Sequence, residues 1–218
     1  MITMAHRFAL LLVALVALPP AVFGHRLDEY LQATLVSIEA GGVRVQINLT
    51  PGVAVADQVL RLIDRDNDGV ISTNEAVAYA ELLKRDLTLR VDCRDLELKL
   101  TAFEFPAPGE LRTGWGIMQM EFFSKTSSLA GGAHKVMLEN RHVPAASVYL
   151  FNAAQPKSGE IQIISQKRND NQSVGEIEFS FSSPPSSSRV GRIVAPVVIL
   201  AVAVLFGRRG RTKLVTPT

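Results

Sequence analysis

Residues 63–76 read IDRDNDGVISTNEA. Asp64, Asp66 and Asp68 stand at alternate positions, Gly69 follows immediately, and Glu75 lies near the end of the stretch. Carboxylates at every second residue of a turning loop point to one side, while Arg65 and Asn67 between them point away. Gly69 permits a sharp bend that a residue with a Cβ resists. Four carboxylates gathered on one short loop repel each other unless a cation lies among them. A flexible shell of hard oxygens suits calcium better than magnesium, which demands a stiff octahedron and fewer protein ligands. The alternative is a solvated acidic turn that only caps the helix after it.

The flanking residues show what must position such a loop. Val55, Val59, Leu62 and Ile63 fall at helical spacing before it, and Ala76, Tyr79, Ala80 and Leu83 do so after it. Ser72-Thr73-Asn74-Glu75 forms a capping box for the second helix. Leu60 and Ile63 sit where the entering helix must face a packing partner. A helix–loop–helix is therefore expected over residues 54–85. Most of the remaining chain alternates apolar and polar residues with period two. YLQATLVSIEA and GVRVQINLT flank Gly41-Gly42, a hairpin signal. LTLRVD, LELKLTAFEF, GIMQMEFFS, HKVMLEN, ASVYLFNA, EIQIISQ and GEIEFSF continue the pattern between Gly, Pro, Asn and Ser clusters. Eight or nine short strands so spaced predict a mainly β protein, an antiparallel β-sandwich or open barrel, with one α insertion after its second strand.

Residues 54–85 resemble the EF-hand family, whose loop takes D-x-[DN]-x-[DN]-G-x₅-E. The resemblance implies one calcium site with Asp64, Asp66, Asp68, Val70, Ser72 and Glu75 as ligands. In it the Val70 backbone carbonyl, a water held by Ser72 and two oxygens of Glu75 complete the shell. Ile71 matches the apolar position where paired loops of that family meet, yet the sequence contains no second loop. A solitary site of this kind is expected to clamp a structure rather than act as a cooperative sensor.

Both ends of the chain read as addresses. In residues 1–24, His6 and Arg7 precede the apolar run Phe8–Leu18, Pro19-Pro20 end any helix, and Val22 and Gly24 suit the −3 and −1 positions of an export-signal cleavage site. Cleavage there leaves His25 first; an uncleaved anchor is the rival reading. Residues 182–192 form a Pro/Ser linker that cannot pack a core. Residues 193–207 are apolar and are expected to cross the membrane once, aided by snorkelling of Arg189, Arg192, Arg208 and Arg209. The run is short against the roughly 17–25 residues of a usual span. The basic tail, 208–218, then lies in the cytoplasm and residues 25–181 lie outside, periplasmic or extracellular. A sorting tail removed during surface processing is an alternative, and an edge-on amphipathic helix fails for want of a polar face.

The net charge of +2 is not gathered on one face, which gives nucleic-acid binding no support. Cys93 is the only cysteine, so no disulfide forms within the chain. Motifs of hydrolases, nucleotide binders and redox enzymes are absent from the sequence, and no catalysis is expected. His134 and His142 read as polar residues at strand ends and turns; copper chelation by an N-terminal His25 with either of them is the weaker reading. The mature segment also resembles a group of exported bacterial proteins, through HRLDEYLQATLV (25–36) and ISQKRNDNQS (164–173). Some of that group join this domain to a multi-pass region similar to hydrogenase and urease accessory permeases of the nickel type. The expected function is a membrane-anchored, exported calcium-binding module of the cell envelope, its envelope partner unnamed by the sequence. The alternative is an accessory subunit that senses or delivers nickel or copper to a membrane transporter.

Overall fold

The computed structural model describes residues 28–126 and 129–182. The expected export signal, linker, spanning segment and basic tail lie outside these residues, as does His25. Among the described residues no helix is long and apolar enough to cross a membrane.

The first two strands, β1 (Tyr30–Glu39) and β2 (Gly42–Pro51), pair antiparallel with Glu39 opposite Gly42. The hairpin turn is thus Ala40-Gly41, one residue earlier than the Gly41-Gly42 expected. Their buried residues alternate along each strand, as a half-buried sheet requires. Two helices follow, α1 (Ala56–Ile63) and α2 (Thr73–Arg85), separated by the acidic loop. Asp86 alone separates α2 from β3 (Leu87–Val91). The chain then forms β4 (Arg94–Leu96), β5 (Lys99–Glu104), a short helix α3 (Pro108–Arg112), β6 (Met118–Lys125), β7 (Gly132–Asn140), β8 (Ser147–Ala153), β9 (Ile161–Arg168) and β10 (Val174–Phe181).

These strands form two five-stranded sheets, ordered β5-β6-β2-β1-β8 and β4-β3-β7-β10-β9. The protein is mainly β, as the alternation predicts. Two details depart from expectation. LELKLTAFEF is not one strand: β4 pairs with β3 in the second sheet and β5 with β6 in the first, so the chain changes sheet at Glu97-Leu98. The β1–β8 pair is parallel, whereas every other pair is antiparallel. The cause is the crossover through 141–146, which leaves β7 beside Leu87 and enters β8 beside Tyr30, where β1 also begins.

One apolar core joins the inner faces of both sheets, with Val45, Ile47, Leu49, Met120 and Phe122 from one and Leu89, Val136, Leu138, Ile177 and Phe179 from the other. Val59, Leu60 and Ile63 of α1 and Tyr79, Ala80 and Leu83 of α2 belong to the same core. Burying one large aliphatic side chain stabilises a fold by roughly 1.5–3 kcal/mol, so the two helices are bound to the sheets rather than appended to them. Between the sheets Gly175 of β10 lies against Phe151 of β8; a Cβ there would meet the ring at 2.3 Å, so only glycine fits.

The free edge of β8 is closed by side chains of β9 and of the β9–β10 turn. Gln166 accepts from Ala153 N–H at 2.7 Å and donates to the Phe151 carbonyl at 3.4 Å, while Gln172 accepts from Phe151 N–H at 3.4 Å. One glutamine amide thus stands where a neighbouring strand would place a peptide group.

Candidate metal centre and the buried network beneath it

The acidic loop is built by its own backbone. Asp64 ends α1, its N–H still bonded to the Leu60 carbonyl at 2.9 Å. Gly69 N–H donates to Asp64 Oδ2 at 3.1 Å, Asp68 N–H to Asp66 Oδ1 at 3.2 Å, and Val70 N–H to Asp68 Oδ1 at 2.8 Å. The turn needs left-handed backbone at Asn67 (φ 58°) and Gly69 (φ 82°), residue types that adopt it with least strain. These bonds curl the loop so that Asp64, Asp66 and Asp68 each present an oxygen within 4.8 Å of the others.

Asp64 is the unusual member. It is 8% exposed, and its Oδ1 is the one fully buried side-chain oxygen without a hydrogen-bond partner among the described residues. An unsatisfied buried carboxylate oxygen is unfavourable by more than a neutral group would be, so this atom calls for a cationic neighbour. Three convergent carboxylates, one with an unsatisfied oxygen, fit a hard divalent cation by the chemistry of the donor set.

Ser72 and Glu75, the other side chains expected as ligands, meet in the helix cap. Ser72 caps α2, its Oγ accepting from Glu75 N–H at 3.3 Å, and Glu75 Oε2 accepts from Ser72 N–H at 3.0 Å and Ser72 Oγ–H at 2.8 Å. The capping box read from the sequence is therefore formed. Glu75 Oε1 accepts from Arg65 N–H at 2.8 Å, which ties the start of α2 across the loop. The Ser72 backbone and hydroxyl and the Arg65 N–H hold the Glu75 carboxyl below its usual range. Glu75 thus lies outside the aspartate cluster. The Val70 side chain is exposed, with its N–H turned to Asp68. Ile71 is half-buried against the core rather than against a second loop.

Beneath the helices runs a chain of polar groups that the sequence did not announce. Tyr79 Oη lies 2.6 Å from Tyr30 Oη and 2.9 Å from His142 Nε2, and His142 Nδ1 lies 2.7 Å from Asp86 Oδ2. The Asp86 carboxylate only accepts, so His142 Nδ1 carries the proton; Nε2 of the neutral ring then accepts from Tyr79, and Tyr79 accepts from Tyr30. Burial lowers the His142 pKa against the opposing pull of Asp86, and burial raises those of both tyrosines, so each group keeps the neutral form this chain requires. The network extends further. His142 N–H donates to Asn140 Oδ1 at 2.9 Å, Asn140 Nδ2 to Gln32 Oε1 at 2.8 Å, and Gln32 Nε2 to the His142 carbonyl at 2.8 Å. Tyr30, Gln32, Tyr79 and His142 are buried. His142 lies just past the end of β7, as expected, but it is buried and is the hub that ties α2 to both sheets. A lone histidine after Asn140 gave no periodic signal by which to find it.

His134 lies at the other end of β7. Its Nδ1 is 2.6 Å from Asp92 Oδ2 and its Nε2 is 2.7 Å from the Ala130 carbonyl. Both partners only accept, so both nitrogens donate and the ring is an imidazolium. The Asp92 bond and then the Ala130 carbonyl raise its pKa accordingly. Cys93 is exposed in the adjacent β3–β4 turn, where Asp92 (φ 49°) and Cys93 (φ 65°) are both left-handed. On the outer face of the first sheet, Ala33, Leu35, Gln46, Asn48, Gln119 and Glu121 line an open groove of about 390 Å³. Among the described residues the three aspartates are the one group of three or more ligating side chains close enough to share a metal ion. No family model, curated protein or solved structure matches the chain.

Proposed function

We propose that the chain is an exported calcium-binding module of the EF-hand type, anchored to the membrane by residues 193–207 and without catalysis of its own. Asp64, Asp66, Asp68 and Glu75 supply carboxylates, and Val70 and Ser72 complete the shell. The observation that carries this reading is Asp64, whose Oδ1 is buried and unpartnered and whose carboxylate clusters with those of Asp66 and Asp68. Such an oxygen has a physical reason to exist where a cation belongs and little reason elsewhere.

Outside the cytoplasm calcium is abundant, and a site with Kd of roughly 10⁻⁴–10⁻³ M, the range of extracellular modules, would stay filled. Its role there is to fix the loop between two helices that belong to the core. Calorimetric titration of the full chain in detergent with calcium, magnesium, nickel and copper tests the reading. Millimolar calcium is expected to bind with one site per chain, and Glu75→Gln to weaken it at least tenfold. Silence toward calcium beside tight binding of nickel or copper would sink it.

A further inference from the structure

The loop has no second hand to pair with, yet both of its helices are packed against something. We propose that the β-sandwich takes the place of a partner hand and holds α2 as a fixed arm, so that ion binding displaces α1, together with α3. This inference rests on the divalent-cation reading of the loop given above.

The two helices are held by different kinds of interaction. Tyr79, one turn beyond Glu75, is bonded at its hydroxyl to Tyr30 of β1 and to His142. Asp86, the last residue before β3, binds His142 through its carboxylate and accepts from Arg141 N–H at 2.9 Å through its carbonyl. Displacing α2 therefore breaks buried, directional hydrogen bonds and drags a strand with it. Among the described residues no buried side-chain hydrogen bond holds α1, whose first turn is tied only by backbone, Ala56 N–H to the Gly52 carbonyl at 2.9 Å. It meets the core through Ala56, Val59, Leu60 and Ile63, apolar contacts that tolerate sliding. Its side-chain link to another element is the exposed pair Asp57–Arg112, 2.8 Å, which couples it to α3.

The ligand geometry decides which arm yields. Asp64 is the last residue of the α1 side, Asp66 and Asp68 follow it, and Glu75 belongs to the first turn of α2. In the structure Glu75 is not among the carboxylates that lie within 4.8 Å of one another; its oxygens are held by Arg65 N–H and by Ser72, beside the Asp66 backbone. One coordination shell has to draw the aspartates and Glu75 together. Because the backbone at Glu75 is anchored one turn later at Tyr79, the aspartates approach it and α1 follows. A shear of one apolar helix face over the core is the movement that needs no buried side-chain hydrogen bond to open.

Spin-label distance measurements on the full chain test the proposal. In a Cys93→Ser background, one pair joins Gln58→Cys on α1 to Lys125→Cys on β6, and a second joins Val77→Cys on α2 to Lys125→Cys. Calcium is expected to shift the first distance distribution beyond its ion-free width and to leave the second within its own. A shift of the second pair, or of neither while calorimetry reports bound calcium, overturns the fixed-arm assignment and leaves the metal reading standing. Absence of calcium binding in calorimetry removes both. Adding Tyr79→Phe, which frees α2 from Tyr30 and His142, is expected to make the second distance respond to calcium as well. A second pair still indifferent to calcium in that variant counts against the hydrogen-bond chain as the anchor.

Discussion

Tyr79 and His142, 63 residues apart, meet through a hydrogen bond of 2.9 Å that fastens the exiting helix of the acidic loop to the crossover between the sheets. Tyr79→Phe keeps the ring in the core and removes only the hydroxyl. It leaves the Tyr30 O–H and His142 Nε2 without their partner in a buried site. The expected loss is roughly 1–3 kcal/mol of folding stability, measured by urea unfolding at neutral pH. Tyr30→Phe removes the end member of the chain and leaves the Tyr79–His142 bond, so its loss is expected to be smaller.

The two histidines respond oppositely to pH. Burial keeps His142 neutral below its ordinary pKa of about 6.5, so its contribution is present above that value and is lost as the pH falls. Asp92 and Ala130 keep His134 charged, so its contribution is complete below about pH 6.5 and is lost as the pH rises through the raised value. Ring-proton NMR titration is expected to place His134 above and His142 below the free-histidine value. His134→Gln is expected to flatten the alkaline side of a melting-temperature profile and to leave its acid side intact.

Asp64→Asn separates the roles of the buried carboxylate. Without calcium, the variant replaces a charged oxygen that lacks a partner and is expected to be at least as stable as the parent. With calcium at about 100 times its Kd, the parent gains about 2.7 kcal/mol and the variant does not. Melting temperatures in chelator and in millimolar calcium give the comparison. A variant that melts well below the parent in chelator, with an unchanged calcium response, would contradict the reading of Oδ1 as an ion-facing atom.

Gln166→Ala opens the edge of β8. The Ala153 N–H and Phe151 carbonyl lose their side-chain partner, at a cost of about 0.5–1.5 kcal/mol for one bond. Hydrogen exchange at Ala153 is expected to quicken ahead of its neighbours. Self-association detected by light scattering should rise as the bare edge becomes available for strand pairing.

Period-two alternation was enough to foresee the strands and their buried faces, because residues such as Val43, Val45, Ile47 and Leu49 obey one local rule. The helices were legible for the same reason, at their own period, and the Ser72–Glu75 cap followed from four adjacent residues. The parallel β1–β8 pair was not legible, since it depends on where a crossover returns and not on either strand's composition. Nor was the absence of Glu75 from the aspartate cluster: the motif gives one residue two tasks, as cap and as ligand, and the four adjacent residues announce only the cap. The hub at His142 joins residues from four separate stretches, a relation that no window of sequence contains.

A single residue, Asp86, lies between α2 and β3. That junction makes the acidic hand something other than a portable cassette. Excising residues 54–85 would take Tyr79, Leu83, Val59 and Ile63 out of the core and leave β3 without its lead-in. A descendant chain cannot shed the ion site by clean deletion and keep its fold. It can lose the site only residue by residue, beginning with the carboxylates, while both helices stay in place as ordinary building material.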